Sequence, residues 1–267
     1  MKLMNLENKS VFTTLGWNGK KSFFALNEHF ERLESQAKIL GLSFDENIKM
    51  KIIKQLKIKD LKFDNYNYSN ELYKPPGLVT IKLMENNKFL ITARSNEYNI
   101  KCKFIDAITV NATNEIKENK GMKYGDHLPY KNAFKIAKKN GGNAALLVND
   151  DAVIDGDRGT LIVLDKDGTA WVSSKEYGSI KSITIKLIKT HLRKNGIPLS
   201  FGKITTELIL RSTDAIMVGT GLGVTRINSI DNRKFEFSNS ILFDKVKSIF
   251  SELIEEKWTE IKDVDDI

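Results

Sequence analysis

Between Asn143 and Ser174 the chain reads NAALLVNDDAVIDGDRGTLIVLDKDGTAWVSS. Short apolar runs rich in Val, Ile and Leu alternate there with Asp, Asn and Gly clusters. The runs are too brief for helices, and the clusters supply the residues that tight turns require. The stretch therefore predicts several short strands joined by tight turns, and it commits this part of the chain to a β-rich body. Further on, TDAIMVGTGLGVTRINSID reads as strand, Gly-rich turn, strand. Three amphipathic helices are expected around these strands, in YKNAFKIAKKNGG, SITIKLIKTHLRKNGI and SNSILFDKVKSIFSELIEEKW.

The first hundred residues have a different character. VFTTLGWNGKKSFFALN alternates about an Asn18-Gly19 pair, which suits the positive φ of a type I′ hairpin turn. Asn27 is the expected cap of the helix EHFERLESQAKILGL, and Gly41 its end. FDENIKMKIIKQLK predicts a second helix, and GLVTIKLMENNKFLITARS a strand pair about Asn86-Asn87. The expected organisation is a small α+β domain over 1–97, a polar linker over 98–106 and a larger domain over 107–267.

A chain of 267 residues, 41% of them hydrophobic, can bury a substantial core. Its one cysteine, Cys102, allows no internal disulfide, which points to a reducing setting. The start, MKLMNLENKSVF, has no apolar signal region, and no apolar run approaches a membrane span. The expectation is a cytoplasmic protein with no membrane association. The net charge is +8, but the lysines are interspersed with acids, so the charge suits anionic small molecules better than nucleic acid. His29, His127 and His191 lie far apart, and no Cys/His cluster has metal-site spacing, so no metal is expected.

Several local features bear on chemistry. Backbone N–H groups of the turn VGTGLGVT, with the Thr220 hydroxyl, can hold a phosphate, as can the helix start at Ser182–Thr184. A dinucleotide reading of that turn fails, because its spacing is GxGxG and no helix pattern follows. DDAVIDGDRG lacks the alternating acids and closing Glu of a calcium loop, so Asp155 reads locally as turn chemistry. Arg32 in HFERL reads locally as a solvated or ion-paired arginine.

The order of these parts along the chain resembles that of the class IV aminotransferase family, the fold type IV pyridoxal-phosphate enzymes. The likeness spans nearly the whole chain and is clearest in FFALNEHFERLESQAKILGL. The resemblance implies an α+β fold with a small α/β domain and a larger β-rich domain flanked by helices. It implies pyridoxal 5'-phosphate as cofactor, an amino-acid-like substrate and a homodimer. Counted from GGNAALLV, the lysine that bonds the cofactor falls on Lys123, and the acid facing the pyridine nitrogen on Asp155. Phosphate contacts fall on Arg32, on Ile183 and Thr184, and on Gly219 and Thr220. Such a lysine must be neutral to act as nucleophile, and once displaced it serves as general base and acid at the substrate Cα.

The chain departs from the family pattern in places. Asp155 stands where Glu is usual, GDRGT replaces a Gly-Ser-x-Ser-Asn-like run, Ile185 replaces an arginine, and Arg226 stands where proline is common. Arg158 is a candidate contact for a substrate carboxylate. VFTT, Val11–Thr14, resembles the strand of aminodeoxychorismate lyases, which makes Phe12 and Thr14 candidate substrate neighbours. The resemblance therefore favours a 4-amino-4-deoxychorismate lyase. Branched-chain or D-amino-acid aminotransferase activity is the first alternative, and a non-catalytic cofactor-binding relative the second.

Overall fold

The computed structural model describes residues 9–58, 74–96, 104–118, 121–236 and 239–261. The chain divides into two compact units. One comprises Met1–Glu97, Met122–Asp126 and Ile254–Ile267, the other Tyr98–Gly121 and His127–Leu253. The fold is α+β, with a smaller and a larger β-containing unit. Residues 98–103 of the expected linker lie outside the described residues, and Phe104 already opens a strand.

The first unit begins with β1 (Ser10–Trp17) and β2 (Ser22–Phe24), followed by α1 (Leu26–Leu40), α2 (Glu46–Ile58), β3 (Gly77–Met84) and β4 (Phe89–Ser95). The expected hairpin forms, but its loop is longer than a two-residue turn. Gly16 pairs with Phe24 and Trp17 with Phe23, while Asn18 Oδ1 accepts from the Lys20 and Ser22 N–H groups. The strand pair about Asn86-Asn87 forms as read, with both asparagines at a φ of 57°. Asn27 does not cap α1. The helix starts at Leu26, after Ala25 adopts a left-handed conformation with its N–H donated to the Lys257 carbonyl. A short strand near the chain end, Trp258–Glu260, pairs with β2 and fixes that corner, which moves the helix start ahead of Asn27. That strand completes a five-stranded sheet, lying outermost in the order Trp258–Glu260, β2, β1, β3, β4. Val11, Leu15, Val79 and Ile81 of the sheet share a core with Leu26, Phe30 and Leu33 of α1 and Ile48, Ile52 and Leu56 of α2.

The second unit contains β5 (Phe104–Asn111), α3 (Asn114–Glu118), α4 (Leu128–Lys139), β6 (Ala144–Asn149), β7 (Ala152–Gly156), β8 (Thr160–Leu164) and β9 (Ala170–Ser173). It continues with α5 (Ile183–Lys194), β10 (Leu199–Gly202), α6 (Thr206–Arg211), β11 (Asp214–Gly219), β12 (Gly223–Ile230), β13 (Arg233–Lys234) and α7 (Ile241–Glu256). The sheet order is β10-β9-β8-β11-β12-β5-β6-β7, with β13 added to β12. The sheet is curled. The Asn143–Ser174 stretch supplies β6 to β9, as its turn spacing predicts, but β7 and β8 lie at separate places in the strand order. The β7–β8 turn packs on the β11–β12 turn, backbone to backbone. A Cβ on Gly159 would lie 2.8 Å from the Val218 carbonyl oxygen, and one on Gly219 2.9 Å from that of Arg158.

Asp214, fully buried at the start of β11, ties three elements together. Its carboxylate accepts from Arg226 on β12 and from the N–H groups of Ala215 and of Phe243 in the first turn of α7. Arg226 also donates to the Asn239 carbonyl, so its presence in place of a proline has a structural use. Asp214→Ala leaves a partly buried guanidinium without its counter-charge. It should lower the free energy of unfolding by about 3 kcal/mol in chemical denaturation, with Asp214→Asn less affected.

Candidate active site

In the first unit the site is built on β1. Between Ser10 and Leu15 the strand is not paired with β2, and residues 123–125 occupy that edge. Phe12 N–H donates to the Lys123 carbonyl at 3.0 Å, Gly125 N–H donates to the Ser10 carbonyl at 3.0 Å, and Val11 forms an antiparallel bridge with Tyr124. The backbone of Lys123 is thereby fixed against Phe12, and its Nζ lies 5.4 Å from the centre of the Phe12 ring.

Strand alternation sorts the residues of β1. Val11, Thr13 and Leu15 are fully buried, and Val11 and Leu15 pack with α1 in the core. Thr14 faces the other way, and its hydroxyl meets that of Thr80 on β3 at 2.9 Å. Thr13 meets two side chains of α1. Arg32 Nη2 donates to Thr13 Oγ1 at 2.6 Å, and that oxygen lies 2.7 Å from His29 Nδ1. His29 and Arg32 stand three apart on the helix and so share a face. Arg32, expected on local grounds to be solvated or ion-paired, is only 7% exposed. Burial pulls its pKa down to about 10, so it keeps its charge near neutrality. His29 is 1% exposed and its Nε2 has no hydrogen-bond partner. Burial, then the charges of Arg32 and Lys123, hold the imidazole well below its usual pKa, in the neutral form.

The same unit has a cleft of about 450 Å³ lined by Lys9, Ser10, Lys82 and Lys88, with Gly125 and Asp126 on the segment that follows Lys123. Lys82 is paired with Asp126.

In the second unit Asp155 lies on β7, 5% exposed, with Oδ1 accepting from the Gly156 N–H. Burial of Tyr130, and then the charge of Asp155, raise that phenol well above its usual pKa. Tyr130, on α4, stacks on His127 with the ring centres 4.1 Å apart. The start of α5 is capped by Ser182, whose hydroxyl accepts from the Ile185 N–H. The N–H groups of Ile183 and Thr184, in that first turn, have no carbonyl four residues back within the helix, and both residues are buried. A buried helix start of this kind suits an anion. Gly219 and Thr220 lie in the tight turn packed on Gly159.

Arg158 is held within its own turn. Its Nε donates to Asp157 Oδ2 at 2.7 Å, Nη2 donates to the Asn143 carbonyl at 3.1 Å, and the guanidinium lies 4.0 Å from the centre of the Phe134 ring. Asp157, in turn, accepts from the Ala145 N–H. A substrate carboxylate at Arg158 would have to compete with these partners. Among the described residues, no group of three or more His, Cys, Asp or Glu is placed to hold a metal, and no helix is long and apolar enough to cross a membrane. His29, Thr13 and Tyr130 were not singled out from the sequence. The i, i+3 spacing of His29 and Arg32 was a usable signal for the first, whereas the other two needed the fold.

Residues 10–230 match the family model for amino-transferase class IV, and the chain belongs to that family. It is a pyridoxal-phosphate-dependent enzyme with the family's fold. Similar solved structures include a branched-chain aminotransferase from Thermoproteus uzoniensis, 19% identical, with a TM-score of 0.75 and coverage of 96% of this chain and 90% of that one. A protein from Legionella pneumophila provisionally named a 4-amino-4-deoxychorismate lyase is 16% identical, with a TM-score of 0.72 and coverage of 95% and 96%. The pyridoxal-phosphate-bound form of a hypothetical aminotransferase from Mycobacterium tuberculosis is 14% identical, with a TM-score of 0.68 and coverage of 100% and 95%. Among curated protein sequences, none matches this chain significantly.

The neutral state of His29 has a consequence for stability. Its folded pKa is depressed, so below about pH 6.5 the unfolded chain binds a proton that the folded chain does not. Stability from this group is therefore present above that pH and is lost as pH falls, by at most about 1.4 kcal/mol per pH unit. Unfolding free energies measured from pH 7 to pH 5 should show this slope in the native protein, and His29→Asn should lack that part of it.

Proposed function

We propose that Lys123 binds the cofactor and carries the proton at the substrate Cα, and that the reaction converts 4-amino-4-deoxychorismate into 4-aminobenzoate and pyruvate. The observation that carries the lysine assignment is the pairing of residues 123–125 on β1, which fixes one lysine of a lysine-rich chain at the backbone. The donor sets fit pyridoxal phosphate. Arg32 is a buried cation, the α5 start offers the Ile183 and Thr184 N–H groups, and Gly219 and Thr220 form a turn whose close packing leaves no room for a Cβ at Gly219. In this reading those groups take the phosphate, and Asp155 faces the pyridine nitrogen.

When bound, the cofactor supplies an electron sink for the pair released at Cα. Asp155 would hold a negative charge at the pyridine nitrogen and so favour its protonated form. Its side chain is one carbon shorter than the usual glutamate, so it would have a shorter reach to that nitrogen. Lys123, as a free amine, accepts the Cα proton and later returns one. Loss of the enolpyruvyl group as pyruvate leaves the aromatic ring, and no amino acceptor is consumed.

Two features support the lyase over a transaminase. The β1 face beside Lys123 presents the Phe12 ring and the Thr14 hydroxyl rather than an acid. The lysine-lined cleft next to Gly125 suits a substrate with two carboxylates. The homodimeric, cytoplasmic enzyme that this reading implies is part of the proposal.

Borohydride reduction of the protein incubated with pyridoxal phosphate, followed by peptide mapping, should place the cofactor on Lys123. Lys123→Ala should carry no such label. Pyruvate should then appear from aminodeoxychorismate with no keto acid added. A strict keto-acid requirement would instead establish an aminotransferase, and an unlabelled native protein would refute the cofactor assignment.

A further inference from the structure

We propose that His29 is a positioning residue for Arg32, acting through the Thr13 hydroxyl. The inference rests on the reading that Arg32 takes the cofactor phosphate.

One direction of the hydrogen-bond chain leaves the fewest polar groups unsatisfied. A guanidinium only donates, so Thr13 Oγ1 accepts from Arg32 Nη2 at 2.6 Å. The hydroxyl has one proton to give, and His29 Nδ1 stands 2.7 Å away. Thr13 is fully buried, so a hydroxyl proton that did not go to Nδ1 would have no acceptor from solvent. Nδ1 is therefore the acceptor and the ring carries its proton on Nε2. This assignment leaves one group, the Nε2–H, without a protein partner, whereas the opposite tautomer would strand two, the Thr13 proton and the Nε2 lone pair. A doubly protonated ring would set two cationic groups, the imidazolium and Arg32, on one hydroxyl.

This chain has a mechanical effect. His29 fixes the rotation of the Thr13 hydroxyl, and that fixes a lone pair towards Arg32. Without an acceptor at position 29, the hydroxyl proton is free to turn towards the guanidinium it should receive. Arginine is effective on phosphate because its planar fork is held in one orientation. The imidazole thus serves phosphate recognition without touching the phosphate, and its buried, neutral state is what the role requires.

Titrations of the full-length apoprotein with pyridoxal phosphate and with pyridoxal separate this role from general packing. Pyridoxal can engage Lys123 but has no phosphate. His29→Leu should weaken pyridoxal-phosphate binding about tenfold and leave pyridoxal binding unchanged. His29→Asn, whose Oδ1 can replace Nδ1 as acceptor, should restore most of the loss. Thr13→Val should match His29→Leu, and the double variant should be no worse than either. Thr13→Val also carries the test if leucine at position 29 prevents folding. Equal loss for both ligands, no loss for either, or additive effects of the two substitutions would overturn the proposal. Arg32→Met distinguishes the two levels. If it leaves the preference for the phosphate ester intact, the phosphate reading itself falls. If it abolishes that preference while His29→Leu and Thr13→Val do not, only the positioning role falls.

Discussion

The hydrogen bonds from Phe12 N–H to the Lys123 carbonyl and from Gly125 N–H to the Ser10 carbonyl are the constraint on which the rest of the first unit's chemistry depends. β1 leaves part of one edge unpaired, and residues 123–125, remote in sequence, satisfy it. Unpaired buried backbone groups are costly, so the edge and the segment stabilise one another. The lysine side chain thereby gains a fixed starting point. The same strand presents Thr13 on its other face to His29 and Arg32 of α1. One strand therefore organises the two groups proposed to take the cofactor's aldehyde and its phosphate.

Electrostatics around His29 follow from its burial near cationic groups. Burial, with the charges of Arg32 and Lys123 added to it, keeps the His29 ring neutral. The second unit solves the converse problem. Asp155 is buried beside Tyr130, and the phenol is held protonated there by burial and by the carboxylate. Asp157 and Arg158 cancel one another within the β7–β8 turn. The altered GDRGT segment thus replaces a polar run by an ion pair that also bonds to β6 and to the Asn143 carbonyl, which preserves the turn while changing its chemistry.

Much of the fold was legible because local rules suffice where the pattern is local. Apolar runs cut by Asp-Gly and Asn-Asp gave β6 to β9, and 3.6-residue periodicity gave α1, α2, α4, α5 and α7. The misses share a cause. Asn27 is an acceptable cap by residue type, yet the helix begins earlier because Trp258–Glu260 pairs with β2 from the far end of the chain. Asn18-Gly19 marks a turn correctly, but the register that sets its length depends on which residues of β1 and β2 share the core.

By itself the sequence determined the residue types and their order: a lysine ahead of a helix, an acid before glycine, a hydroxyl at a helix start, an arginine on a helix face. Those are properties of spacing, and spacing survives in a string. Only the tertiary structure decided that residues 122–126 fold with the first unit, that Thr13 rather than Thr14 meets Arg32, and that Arg158 is taken up by Asp157. These facts depend on strand pairing between distant segments and on which face of a strand is buried, and in β-structure a shift of one residue exchanges the two faces.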